Sequence, residues 1–211
     1  MGGRDARVTV AITVATAVAA IGFLLSGALG EVAFGAGFVP VRVAGAALPA
    51  GLPLVVPTVL TPLTATLVHG GIGHLAFNLI MLVYCGRSLE RAIGGVALTI
   101  LYIVGAYAAA AAQWAIEPSS AAPMIGASGA ISAIVGAYAL LYGENRAKAL
   151  GPVPAGVVHV AWLAAGWVGV QLLIGVAGLG GVTVAIAAHI GGFVAGLALA
   201  RPLLLWRYRQ A

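Results

Sequence analysis

Four polar side chains stand inside long apolar runs of this 211-residue chain: His74, Asn78, Ser128 and His189. A hydroxyl and an imidazole are the parts of an acyl-transfer centre, because serine is a weak nucleophile until a neutral imidazole takes its proton. Ser128 is flanked by Gly126, Ala127, Gly129 and Ala130, small residues that let a substrate backbone come close. In the first turn of a helix it would also have free N–H groups and the positive dipole end beside it. His74 and Asn78 are four residues apart, hence on one helix face, and both offer N–H donors to a developing oxyanion. No carboxylate lies within an apolar run, since Asp5, Glu31, Glu90, Glu117 and Glu144 are terminal or between runs. The expected machinery is therefore a Ser128–His189 dyad and not a triad.

Each of these residues also has an ordinary use. A serine among glycines packs membrane helices, an asparagine bridges them, and an intramembrane histidine carries protons or binds a metal. His159, near the start of the fifth run, reads as interfacial. Gly192 and Gly196, a small-xxx-small pair below His189, ordinarily mark close helix packing, which would also bring that helix up to the one carrying Ser128.

The elements that must position these groups follow from composition. The hydrophobic residues make up 62% of the chain and charged ones 7%, against about 25% charged in a soluble domain. Runs of about 20 apolar residues suffice to cross a ~30 Å hydrocarbon layer. Six such segments are predicted: Val8–Leu29, Gly71–Leu89, Val96–Ile116, Ser128–Tyr142, Ala155–Ala177 and Val182–Leu205. The expected fold is an all-α membrane protein, a six-transmembrane-helix bundle occupying residues 1–211 as a single domain. Between the first two segments lies Gly30–Gly70, broken by Pro40, Pro49, Pro53, Pro57 and Pro62. It reads as a long, irregular, partly membrane-embedded loop whose backbone is buried against protein. The first run exceeds the usual length of a signal-peptide core, so it reads as a retained span.

Basic residues assign the sides. With the N-terminus inside, the inner segments hold Arg4, Arg7, Arg87, Arg91, Arg146, Lys148, Arg207 and Arg209, and the outer ones hold Arg42 beside Glu31 and Glu117. This positive-inside bias puts both termini in the cytoplasm of a multi-pass cell-membrane protein, with bacterial inner membrane the expected setting. The net charge of +5 is spread along the chain and not gathered into a basic, aromatic-interleaved patch, which argues against a nucleic-acid partner. One cysteine, Cys85, excludes an intrachain disulfide and a cysteine-based metal site. No metal or other cofactor is expected.

Depth follows from helical rise. Asn78 lies about 10 Å below Gly71, and His189 about 10 Å below Val182. The fourth segment is only about 21 Å long, so its outer end at Ser128 is recessed by about 9 Å if its inner end meets the interface near Glu144 and Arg146. The three estimates converge on one water-accessible pocket opening outward.

The stretches HGGIGHLAFN (His69 to Asn78), GASGA (Gly126 to Ala130) and AHIGGFVAG (Ala188 to Gly196) together resemble the rhomboid intramembrane serine proteases. GFVPVR (Gly37 to Arg42) and GRSLERAIG (Gly86 to Gly94) add to the likeness, which runs over essentially the whole chain. The resemblance implies Ser128 as nucleophile, His189 as general base, and an oxyanion hole of His74, Asn78 and the Ser128 N–H. It implies supporting roles for His69, at the first loop, and for Glu90, Gly126, Gly129, Gly192 and Gly196. It also implies a substrate gate at Phe77, between the second and fifth spans. The implied partners are single-span membrane proteins in the lipid bilayer, cut near the outer end of the span. The family commonly has an aromatic ring four residues after the nucleophile, stacked on the catalytic histidine, and here that position is Ser132. An inactive relative that binds membrane clients would typically lack the nucleophile or base, which this chain has. A small transporter would need paired broken helices around a midplane site.

Overall fold

The computed structural model describes residues 6–143, 147–176 and 185–209. Among them the secondary structure is helical, with only isolated bridges at Phe38–Met124 and Leu150–Val153 outside it. The helices are α1 (Arg7–Leu25), α2 (Leu29–Ala36), α3 (Thr61–Thr64), α4 (Ile72–Met81), α5 (Arg87–Ile93), α6 (Gly95–Ile116), α7 (Ser128–Tyr142), α8 (Ala155–Val176) and α9 (Ile186–Tyr208). A π-helical turn, Leu82–Gly86, joins α4 to α5 into one rod. By length and composition, four helices can cross a membrane: Arg7–Leu25, Ile72–Ile93, Gly95–Ile116 and Ile186–Tyr208. Ser128–Tyr142 and Ala155–Trp167 are shorter apolar stretches.

The boundaries refine the sequence reading. The first helix ends at Leu25 and not Leu29, and Leu29 instead opens α2. The proline-rich segment is more ordered than an irregular loop: it holds α2, α3 and short 3-10 turns at Pro40–Ala44, Thr58–Leu60 and Ala65–Leu67. Proline suits the first turn of a helix, where its missing N–H has no partner to lose, so Pro40 and Pro62 open turns here and do not break them. Arg4, Glu144, Arg146, Ala177 and Val182, which entered the assignment of sides and ends, and Asp5, named among the carboxylates, lie outside the described residues.

The core is built around α7, whose residues from Gly129 through Ala137 are all buried. Helix α6 and helix α9 flank it, and glycine lets the backbones touch. A β-carbon on Gly192 would lie 2.1 Å from the Gly129 carbonyl oxygen, and one on Gly196 would lie 2.1 Å from that of Ala133. On the other side, a β-carbon at Gly105 would meet the Ala133 methyl at 2.6 Å. The outer faces are the reverse of a soluble protein's, with Val10, Val14, Val18, Trp162 and Val194 all exposed.

One end of the bundle is tied by a buried carboxylate. Glu90 accepts hydrogen bonds from the Val8 N–H (3.0 Å), the Thr9 N–H (2.7 Å) and the Thr9 hydroxyl (2.7 Å). A negative charge on the orphan N–H groups of a helix start is favourable, so Glu90 caps α1 from across the bundle. Arg207 of α9 donates to the Glu90 and Arg91 carbonyls beside it. The turn between α5 and α6 depends on Gly94 at φ +87°, a conformation that disfavours other residues.

Candidate active site

Ser128 is the first residue of α7, and His189 lies in the first turn of α9. The close approach of those two helices brings the His189 Nε2 to 2.7 Å from the Ser128 Oγ. The sequence-based depth for His189 was counted from Val182, but α9 starts at Ile186. Ser128, His189, His74, Asn78, Phe77, Gly126 and Gly129 all line one cavity of about 530 Å³. Gly192 and Gly196 lie deeper on α9 and act through packing against α7. Glu90 stands apart, at the α1 end described above.

The backbone before Ser128 is held tightly. The Gly126 N–H donates to the Ala65 carbonyl at 2.9 Å, and the Ala127 N–H donates to the His69 Nε2 at 3.4 Å. Gly126 adopts φ +107°, and a β-carbon there would come within 2.6 Å of the His74 imidazole. Glycine at 126 therefore serves twice, by its backbone conformation and by leaving room for the His74 ring.

His69 is fully buried and touches His74, ring centroids 5.0 Å apart. Burial, and to a lesser degree the neighbouring His74, push its imidazole down from 6.5 to about 4. It is neutral at pH 7 and can accept the Ala127 N–H. The resemblance assigned it to the first loop, and its contact reaches further, to the residue before Ser128.

The two candidate oxyanion donors differ. The His74 Nδ1 accepts from the Gly70 N–H at 3.4 Å, which leaves the proton on Nε2, the nitrogen beside Gly126. Asn78 is 1% exposed and donates one amide hydrogen to the His74 carbonyl at 2.8 Å, keeping the other for the cavity. For Nε2 of His189 to accept the Ser128 proton, its own proton must sit on Nδ1. That Nδ1 is buried with no protein partner among the described residues.

Ser132 has no ring to stack on His189. Its hydroxyl donates to the Ser128 carbonyl at 2.7 Å, and its β-carbon would lie 3.2 Å from one added at Gly192. The aromatic pair near the site comes from other helices: Trp167 of α8, which lines the cavity, stacks on Phe193 of α9 with centroids 6.0 Å apart. Neither was singled out by the sequence reading, since an apolar aromatic in an apolar run gives no signal. His159, read as interfacial, is buried, close to the end of α7 at Gly143. Among the described residues no group of three metal-ligating side chains occurs.

The Rhomboid domain family model matches residues 57–206, well over half of the chain. The chain belongs to the rhomboid family. Among curated proteins it is similar to the Rhomboid protease GlpG of Serratia proteamaculans, 34% identical over 134 residues. It is similar also to those of Yersinia pestis and Yersinia pseudotuberculosis, each 31% identical over 134 residues. In all three cases the match covers 63% of this chain and 44% of the relative, so the chain spans under half the length of the curated relatives it matches.

Proposed function

We propose that this rhomboid-family chain is an intramembrane serine endopeptidase that hydrolyses peptide bonds in or near the spans of single-span membrane proteins. The observation that carries the reading is the 2.7 Å hydrogen bond between His189 Nε2 and Ser128 Oγ at the wall of a cavity. His189 takes the Ser128 proton as Oγ adds to the scissile carbonyl. The oxyanion is met by the Ser128 N–H, His74 Nε2–H and the free amide hydrogen of Asn78. Collapse expels the amine, which receives the proton from His189, and water then releases the acyl group by the same steps in reverse order of partners. His69 and Gly126 hold the segment that aims Ser128, while Gly129, Gly192 and Gly196 set the distance between the two catalytic helices. Glu90 anchors the far end of the bundle.

The remaining readings belong to the same proposal. Six spans cross a bacterial inner membrane as one domain over residues 1–211, with both termini cytoplasmic and the cavity open outward. The substrate enters sideways between α4 and α8, where Phe77 is 42% exposed and also lines the cavity with Met81 and Trp167. The machinery uses no cofactor.

The test is active-site labelling with a fluorophosphonate in detergent or liposomes. Wild-type protein should label and should cleave a transmembrane reporter; Ser128→Ala should do neither while staying folded. A wild-type protein that neither labels nor cleaves, or a Ser128→Ala protein that still cleaves, would overturn the proposal.

A further inference from the structure

The rod formed by α4, the π-helical turn and α5 carries two cations that the protein does not use. Tyr84, Arg87 and Arg91 lie at i, i+3 and i+7, hence on one face of the rod, and all three are exposed. No hydrogen bond or ion pair reaches either guanidinium from the described residues. The carboxylates among those residues are engaged or distant. Glu90 is spent on the start of α1, while Glu31 and Glu117 follow the opposite ends of α1 and α6. Counted from Ile72 at helical rise, Arg87 lies roughly 23 Å and Arg91 roughly 29 Å along the rod. In a ~30 Å hydrocarbon layer, Arg87 therefore stands just inside one boundary and Arg91 at it. A charge there is costly without a counter-charge.

Tyrosines surround the pair. Tyr138 of α7 lies with its ring 5.9 Å from that of Tyr84 and stacks on Tyr142 at 5.0 Å. The Tyr142 hydroxyl donates to the Ser88 carbonyl at 2.9 Å, which ties the end of α7 to the rod between Arg87 and Arg91. Tyr84 is 66% exposed and Tyr142 48%, so the ladder presents its edges outward and does not serve as core. Such rings suit the headgroup level of a bilayer. A third guanidinium adds to the charge: Arg207 donates through Nη1 to the Glu90 and Arg91 carbonyls.

We propose that Arg87 and Arg91, with the Tyr84–Tyr138–Tyr142 ladder, bind the headgroup of an anionic phospholipid at this end of the bundle. The guanidinium fork matches two oxygens of a phosphodiester. The Tyr84 phenol, one turn below, meets the glycerol, and an acyl chain runs along the exposed side of Ile80, a turn further in. A zwitterionic headgroup would bring its own ammonium toward three guanidiniums, whereas a net negative one does not. The site makes no use of Ser128 or His189, and it stands whether or not the chain is a protease.

The experiment is native mass spectrometry of the delipidated full chain in neutral detergent, titrated with phosphatidylglycerol or phosphatidylcholine. Wild type should take up its first phosphatidylglycerol about tenfold more tightly than phosphatidylcholine. Arg87→Gln with Arg91→Gln should weaken phosphatidylglycerol roughly thirtyfold, the scale of two basic residues at an anionic membrane surface, and leave phosphatidylcholine unchanged. Arg201→Gln with Arg209→Gln removes equal charge from exposed positions elsewhere and should bind as wild type does. Equal affinity of wild type for the two lipids overturns the proposal. So does equal loss in both double variants, which marks a general positive potential and not a site. Glycerol 3-phosphate, which lacks acyl chains, should not displace the lipid; displacement overturns the lipid assignment in favour of a free phosphate ester. A photoactivatable phosphatidylglycerol in phosphatidylcholine vesicles gives a test on wild type alone. Its crosslinks should fall between Ile80 and Arg91 or at Tyr138 and Tyr142, and crosslinks confined to other helices sink the site.

Discussion

His74 and Asn78 share a helix face but not a hydrogen-bonding state, and this sets an order for their loss. The His74 Nε2–H is left free by the Nδ1 contact to Gly70, whereas Asn78 divides its amide between the His74 carbonyl and the cavity. Removing a preorganised oxyanion donor costs about 10²–10³-fold in kcat. His74→Ala should reach that range and Asn78→Ala should fall at its lower end, each with KM little changed, because the charge they meet exists only in the transition state. Steady-state kinetics on a reporter substrate check this; a change in KM alone would remove both from the oxyanion hole. Gly126→Ala should be worse than its size suggests. Its methyl would enter the His74 ring at 2.6 Å from a backbone conformation that alanine rarely takes.

At the scale of elements, the contact between α7 and α9 decides whether two residues 61 apart in sequence meet. Gly192→Ala inserts a methyl 2.1 Å from the Gly129 carbonyl oxygen, an atom of a helix that cannot move alone. The expected outcome is a destabilisation of about 1–3 kcal/mol, read as a lower melting temperature. The rate of fluorophosphonate labelling should fall with it, since the helices separate at the level of His189. Glu90 gives the contrasting case. Glu90→Ala removes three hydrogen bonds to a buried carboxylate and should cost about 3 kcal/mol or more. The labelling rate per folded molecule should change little, because the cap lies at the other end of α1. Labelling that fell as far as stability did would mean that the two ends of the bundle are coupled.

At the scale of the molecule, substrate choice follows from the lipid. A substrate helix satisfies its own backbone hydrogen bonds, and in hydrocarbon nothing else can. Cleavage needs an extended segment, so spans weakened near the cavity's level should be preferred. Gly and Pro weaken a helix by about 1 and 3 kcal/mol relative to Ala. Grafting Gly-Pro into the outer third of an uncleaved, correctly oriented span should make it a substrate, while an Ala-Ala graft should not. Equal resistance of both, with insertion and enzyme activity verified, would count against helix instability as the selector.

Composition and patterning alone were enough for the class and for most helix positions. The reason is that apolar run length is a local property, and Ser128–Tyr142 was delimited by it to the residue. The polar residues Ser128, His189, His74 and Asn78 were legible for a related reason: in an apolar run each is conspicuous by its cost. Other features were decided only by tertiary structure. Leu29 belongs to a new helix and the proline-rich stretch folds into short turns, because those segments are shaped by what they pack against. His69 reaches the Ala127 N–H across 58 residues, and Trp167 meets Phe193 beside the cavity. The hydroxyls of Thr16 and Tyr102 face each other from different helices. Threonine and tyrosine are unremarked in apolar sequence, since each can bond its own helix or lie at an interface. Only the three-dimensional arrangement brings these two together.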